Sequence, residues 1–323
     1  MAIILVCFSA GHTQGAGGKA GSFTRMGAGA RAKAMGNAFT ALAQGIEASY
    51  YNPAGLPFLT SREIGLSYRA LSLDRQYTFI GFGMPIRPKA KGSEKILNGG
   101  FSLSWTRAGT DNIDGRNTDG FQTGEFSNSE NAFSFGFALN PASGLSIGLV
   151  VKVLWNRFPG IGQNSETVSS SGVGFDFGAL YRPMQWLSFG LVFKDINSKY
   201  RWNTEALYDE DASETVDKFP KSLRFGIALH PQNGYGLIVV ADYEQLYDLK
   251  FFKNKIDDRF YLGIEKNVIQ RFDLRVGLDD GAIAAGLGYA FPLFGQMSQI
   301  NYAYVATNKR PEAEHIFTWH LRF

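Results

Sequence analysis

Beyond its first fifteen residues the chain carries three histidines, His230, His315 and His320, and no cysteine, since the single Cys7 lies ahead of them. None of the three stands at metal-ligand spacing to a carboxylate or a thiol. No G-x-S-x-G elbow and no phosphate loop of the G-x-x-x-x-G-K-[ST] form occurs. The glycine clusters at 15–21 and 281–288 read as a flexible leader and a tightly curved strand. A hydrolase would need a serine and a histidine to meet from distant segments, so the expectation is no catalytic residue, no metal and no cofactor.

The ionisable residues that do form a pattern sit on one side of an alternation. Arg224 lies between Leu223 and Phe225; Arg271, Asp273 and Arg275 interleave with Phe272, Leu274 and Val276; Asp242 and Glu244 oppose Val239 and Ala241; Glu265 opposes Leu262 and Ile264. Lys152, Asp176 and Lys194 fall on the polar side of their own segments. Segments with one oily and one charged face are strands whose two faces meet different surroundings. If the oily face meets lipid, an Arg or Lys on it near the midplane would cost about 2–4 kcal/mol, which fixes the register and sends these charges to an enclosed interior. There they read as a lumenal ladder of ion pairs or as a polar path for a solute.

Fourteen such segments run from Glu63 to the end, at about 63–71, 76–86, 98–107, 131–141, 144–157, 172–182, 186–195, 222–230, 235–245, 259–266, 270–278, 281–291, 297–306 and 314–323. The clearest are Phe133, Phe135, Phe137 and Leu139 against Ser134, Gly136 and Ala138, and Leu187, Phe189, Leu191 and Phe193 against Ser188, Gly190 and Lys194. Composition agrees: 14% aromatics and 38 glycines in 323 residues favour strands and tight turns. The body of the chain has no run of about 18 apolar residues, which excludes helical spans, and its mean hydropathy of -0.12 is what alternating strands produce. The net charge of +3 is too slight to argue for nucleic acid. Links alternate in length. Tight turns such as Asn140-Pro141-Ala142-Ser143 and Pro183-Met184-Gln185 exchange with polar links of roughly 108–130, 158–171, 196–221 and 246–258. That asymmetry is expected of an all-β transmembrane antiparallel barrel of about 14 strands, turns on one rim and loops on the other. A soluble sandwich or propeller would alternate too, but no blade motif repeats.

Ahead of the strands, residues 1–15 hold an apolar run from Ile3 to Ala10 and then small residues, read as a secretory signal peptide without a basic start. Val6 before Cys7 disfavours lipidation. Residues 16–62 differ in character. Met35, Ala38, Phe39, Leu42 and Ala43 follow helical spacing, so a small-residue helix is expected around 30–44, followed by an Asn52-Pro53-Ala54-Gly55 turn. Too thin for a core of its own, this segment is sized to lie inside the barrel of residues 63–323 as a helical hatch.

Two resemblances sharpen this reading. Phe317, Trp319, Leu321 and the terminal Phe323 resemble the carboxyl-terminal insertion signal of bacterial outer-membrane barrels. The runs Gly29-Ala30-Arg31-Ala32, Met35-Gly36-Asn37-Ala38-Phe39-Thr40-Ala41-Leu42-Ala43 and Tyr50-Tyr51-Asn52-Pro53-Ala54-Gly55-Leu56 resemble the outer-membrane family of PorV and PorQ, and more distantly the FadL-like fatty-acid transporters. Gln44-Gly45 stands where that family has an acidic pair, with Glu47 the nearest acid. The resemblance implies a hatch built on Met35, Gly36, Phe39, Asn52, Pro53, Ala54 and Gly55, and passive uptake of hydrophobic small molecules. It also implies a lateral gate at a kink in the third strand, where Gly99 and Gly100 either bend the strand or end the preceding loop. The alternative it implies is a component of type IX secretion that hands on cargo proteins. The acidic, aromatic link 196–221, with Tyr200, Trp202, Tyr208, Glu205, Asp209, Glu210, Asp211, Glu214 and Asp217, is then a ligand or partner surface or simply a solvated loop. Expected partners are outer-membrane lipid, the barrel assembly machinery, and hydrophobic small molecules or secretion components, with no nucleic acid.

Overall fold

The computed structural model describes residues 18–89, 97–161, 166–203, 214–231, 236–306 and 313–323. Residues 1–15, with Cys7 and the expected signal peptide, lie outside them. Sixteen strands are present among the described residues: β1 (Glu63–Leu71), β2 (Arg75–Ile86), β3 (Asn98–Arg116), β4 (Gln122–Ala142), β5 (Leu145–Phe158), β6 (Val168–Met184), β7 (Leu187–Ile196), β8 (Lys199–Asn203), β9 (Glu214–Lys218), β10 (Lys221–Leu229), β11 (Leu237–Lys250), β12 (Lys253–Ile269), β13 (Phe272–Asp279), β14 (Ala282–Leu293), β15 (Gln296–Val305) and β16 (Glu314–Arg322).

Fourteen of these, β1–β7 and β10–β16, close an antiparallel barrel in which each pairs with its neighbours in sequence, β7 with β10, and β16 with β1. Arg62 and Phe323 extend that last seam with reciprocal backbone bonds of 3.1 and 2.9 Å. Closure leaves no unpaired sheet edge, the condition a sheet must meet to stand in lipid. The remaining pair, β8 and β9, is a short hairpin attached to β6.

Alternation decides which way each side chain points. On β4, Phe133, Phe135 and Phe137 are exposed while Ala132, Gly136 and Ala138 are buried; on β16, Phe317 faces out while Ile316, Thr318 and His320 are buried. The same holds for Phe225 against Arg224, Leu262 and Ile264 against Glu265, and Leu274 and Val276 against Arg275. A wall of exposed Phe, Leu, Ile and Val this extensive is the reverse of what water selects. Cross-strand aromatic pairs add to it, Trp105 on Phe133 (centroids 6.1 Å apart) and Tyr243 on Phe260 (4.8 Å).

Two expectations are corrected. The helix around 30–44 is only the five residues of α1 (Ala30–Ala34), because Gly36 and Asn37 both take left-handed φ values, 61° and 65°, and end it. A second short helix, α2 (Ala48–Tyr51), precedes a 3-10 turn over Pro53–Phe58. The links 108–130 and 246–258 are not loose loops either: β3 and β4, and β11 and β12, continue through them as paired hairpins. The 108–130 link is mostly polar on both faces, and in 246–258 the apolar residues do not keep to a period of two, so no continuous oily stripe marks either as strand.

The amino-terminal segment runs inside this wall. Lys19 meets Asp248 and Gly21 abuts Phe219 at the long-hairpin rim; α1 packs on β13–β16; the 3-10 turn packs on β2–β6. Ala30, Ala34, Met35, Ala38, Leu42, Ala43 and Leu56 are all fully buried. The approach is close enough that a β-carbon on Gly277 would run into the backbone of Gly36.

Candidate functional site

Several charged residues of the inner faces bind the amino-terminal segment, and others pair within the wall. Asp242 accepts from the backbone N–H of Phe39 (2.9 Å) and Thr40 (3.0 Å) and pairs with Arg224 (3.1 Å), whose guanidinium donates to the Asn37 carbonyl. Glu244 accepts from Tyr261 (2.7 Å) and from Ser222. Glu265 takes two 2.7 Å bonds from Arg31 and one of 2.5 Å from Arg275, which also reaches Asp273 (3.0 Å). Lys152 bridges Asp176 (2.7 Å) and Asp195 (2.5 Å), and Asp195 receives Thr24 (3.0 Å). Lys194 donates to the Tyr50 carbonyl (3.0 Å) and lies over its ring. Arg271 departs from the expected set: it is an exposed turn residue with φ 77°, outside the lumen.

The motif residues of the segment sit at these contacts. Met35, Phe39, Pro53, Ala54 and Gly55 are buried, and Phe39 packs on Tyr51 at 5.2 Å. Asn52 donates to Thr40 (2.9 Å) and to Ala179 of β6 (3.1 Å) and accepts from Ala54 (3.1 Å), pinning the turn to the wall. Tyr50 and Tyr51 donate to the Thr24 carbonyl and to Asn37, and burial pushes both phenols well above their ordinary range, so they remain neutral donors.

Gly99 and Gly100 form no opening. β3 pairs without a shift through both residues with β2 and β4, and its irregularities lie at 110–113 and 115–116. Gly100 instead makes room for the Leu56 backbone. The terminal strand presents Phe317, Trp319 and Leu321 on its outer side and ends in exposed Phe323.

Among the described residues, spaces at three places adjoin this packed interior. At the long-hairpin rim a cavity of about 650 Å³ is lined by Lys19, Glu130, Phe158, Tyr200, Trp202 and Asp217, among others. Its aromatics are grouped: Trp202 lies 5.8 Å from both Phe158 and Tyr200, with its indole N–H on Asp217 (2.8 Å) and the Tyr200 hydroxyl on Glu130 (3.1 Å). Glu205, Tyr208, Asp209, Glu210 and Asp211 of the same link lie outside the described residues. Below, a polar space of about 20 Å³, room for one water, is bounded by Tyr50, Ser104, Ser134, Lys152, Asp176 and Lys194. On the outer surface an apolar groove of about 450 Å³ crosses β1–β4, walled by Ile80, Phe82, Leu103, Trp105 and Phe133, and shares Ser104 and Ser134 with the inner space. Sequence reasoning missed Asp195 and Thr24, which organise the floor of the mouth. The turn-forming run Asp195-Ile196-Asn197-Ser198 was the available signal.

No family model and no curated protein matches the chain. Solved structures do. The toluene transporter TodX of Pseudomonas putida aligns over 92% of this chain and 99% of its own at 14% identity, TM-score 0.59. A Pseudomonas aeruginosa FadL homologue aligns over 91% and 97% at 11% identity, TM-score 0.60. The monoaromatic hydrocarbon channel CymD aligns over 91% and 96% at 14% identity, TM-score 0.58. The fold is therefore that of the FadL-like barrels.

Proposed function

We propose that this chain is an outer-membrane channel for hydrophobic small molecules, synthesised with a signal peptide over 1–15 and plugged by residues 16–62. Phe317, Trp319, Leu321 and Phe323 present its last strand to the assembly machinery. What supports the reading is the combination of a closed, apolar-walled barrel with a cavity at one mouth that groups Phe158, Tyr200 and Trp202 among polar residues, and with amino-terminal residues packed against the inner faces. The capture site is the mouth, around Phe158, Tyr200 and Trp202, and not the middle of the lumen, where the amino-terminal residues pack against the inner faces. Release runs sideways between β3 and β4 at Ser104 and Ser134, where one layer of backbone separates the inner space from the outer groove and where the cross-strand pairing, unbroken here as at Gly99 and Gly100, has to part. The neighbours named as toluene and hydrocarbon channels support this substrate class by fold alone. The secretion alternative rests on amino-terminal sequence resemblance, and none of these structures bears on it.

Reconstituted liposomes test the proposal. The barrel is expected to speed entry of a monoaromatic or a long-chain amphiphile over empty vesicles. Ser104 and Ser134 are direct cross-strand partners, so S104C/S134C can form a disulfide. Oxidation of this pair is expected to stop entry and reductant to restore it. Entry no faster than in empty vesicles would overturn the function; entry untouched by the disulfide would overturn the exit.

A further inference from the structure

Near the short-turn rim, where the barrel closes on itself, three buried side chains from three elements converge. Glu47 comes from the amino-terminal segment just ahead of α2, Glu63 is the first residue of β1, and His320 lies on β16. Each is at most 3% exposed, and one ligand atom from each lies within 4.8 Å of the others. Glu63 is held by the Ile46 N–H (3.2 Å) and by Arg322 (3.1 Å). Glu47 has no permanently charged partner in contact among the described residues: its one ion pair is to His320, at 2.6 Å, and Arg31 is taken bidentately by Glu265. Glu47 Oε1 and His320 Nε2 face each other at 2.6 Å, and neither atom has any other hydrogen-bond partner. Two buried carboxylates with one partly exposed Arg322 as their direct fixed counter-charge are costly unless a further positive charge, a proton on His320 or a metal ion in its place, sits between them.

We propose that Glu47, Glu63 and His320 bind a divalent transition ion of the zinc type, clasping the amino-terminal segment to the barrel's closing seam. One imidazole and two carboxylates suit zinc, whereas calcium takes oxygen ligands alone. Three protein ligands leave a further position for water. The Glu47 and His320 donor atoms must spread from 2.6 Å to accept an ion at bond lengths near 2.1 Å. Asn301 stands 3.4 Å from Nδ1, at the edge of hydrogen-bond reach, and leaves the ring's tautomer open. This inference stands apart from the transport reading and survives its failure. Spacing in the sequence could not reveal it, because the ligands are 16 and 257 positions apart.

The full chain, purified in detergent and stripped with chelator, is titrated with zinc and with cobalt, and bound metal is counted by mass spectrometry. The expected result is one zinc per chain, a cobalt absorption band, and a higher melting temperature with zinc than with chelator. Affinity is expected to fall roughly tenfold or more in H320Q and in E47Q, and to hold in H315Q, which alters the exposed histidine of the same strand. Folding of each variant is checked by heat-dependent gel migration. Wild-type chain that retains no stoichiometric zinc and melts identically with zinc and chelator overturns the proposal, whatever the variants do. Equal affinity in a folded H320Q overturns it as well.

Discussion

Asp242 concentrates the logic of the interior in one side chain: a β11 carboxylate that holds two amides of the amino-terminal segment and neutralises Arg224. Asp242→Asn keeps the shape and strands the guanidinium, so a loss of about 3–5 kcal/mol is expected in detergent unfolding followed by near-UV dichroism. Asn52→Ala removes three bonds but no charge, and about 1–3 kcal/mol is expected in the same assay. A result in the opposite order would mean that charge neutralisation is not what seats the segment. At this scale much was legible. Arg224, Asp242, Glu244, Glu265 and Arg275 fall inside because a single register fits their oily neighbours. The segment partners of Arg224 and Asp242 were not legible, since Asn37, Phe39 and Thr40 contribute backbone atoms that no side-chain pattern records. Arg271 misled because the alternation of β13 runs up to it while the chain is already turning.

Among the elements, the strands were readable wherever their two faces meet different media and unreadable where they do not. The apolar stripe of β4 ends near Phe133, yet the strand begins at Gln122. The same contrast predicts how substitutions behave. Phe135→Arg, within the apolar stripe, is expected to cost about 2–4 kcal/mol and lower the yield of folded barrel. Ile113→Arg, on the overhanging part of β3, is expected to change stability by no more than about 0.5 kcal/mol. Equal costs at the two positions, measured by urea unfolding in lipid vesicles, would place both in one medium and remove the boundary drawn here. The short α1 carries the converse lesson. Met35, Ala38, Phe39 and Leu42 share helical spacing, but they are buried because the whole segment is enclosed, so burial came without the helix that spacing implied.

For the molecule as a whole, sequence revealed the strand number and the two unequal rims, while the segment's path from one rim to the other needed coordinates. With the lumen plugged by that segment as proposed, the reconstituted barrel is expected to show no steady ion conductance in planar bilayers, with openings more frequent in Asp242→Asn. A large constant conductance in the wild type would contradict the plug. The central claim concerns the medium outside the wall. Single nitroxide labels placed at successive positions from Phe133 to Leu139 in vesicles, read by power saturation with oxygen and with a water-soluble nickel chelate, test it directly. The account predicts that labels at Phe133, Phe135, Phe137 and Leu139 respond to oxygen and not to nickel, with alternate positions protected from both. Nickel access at the outward set would show water where lipid is required.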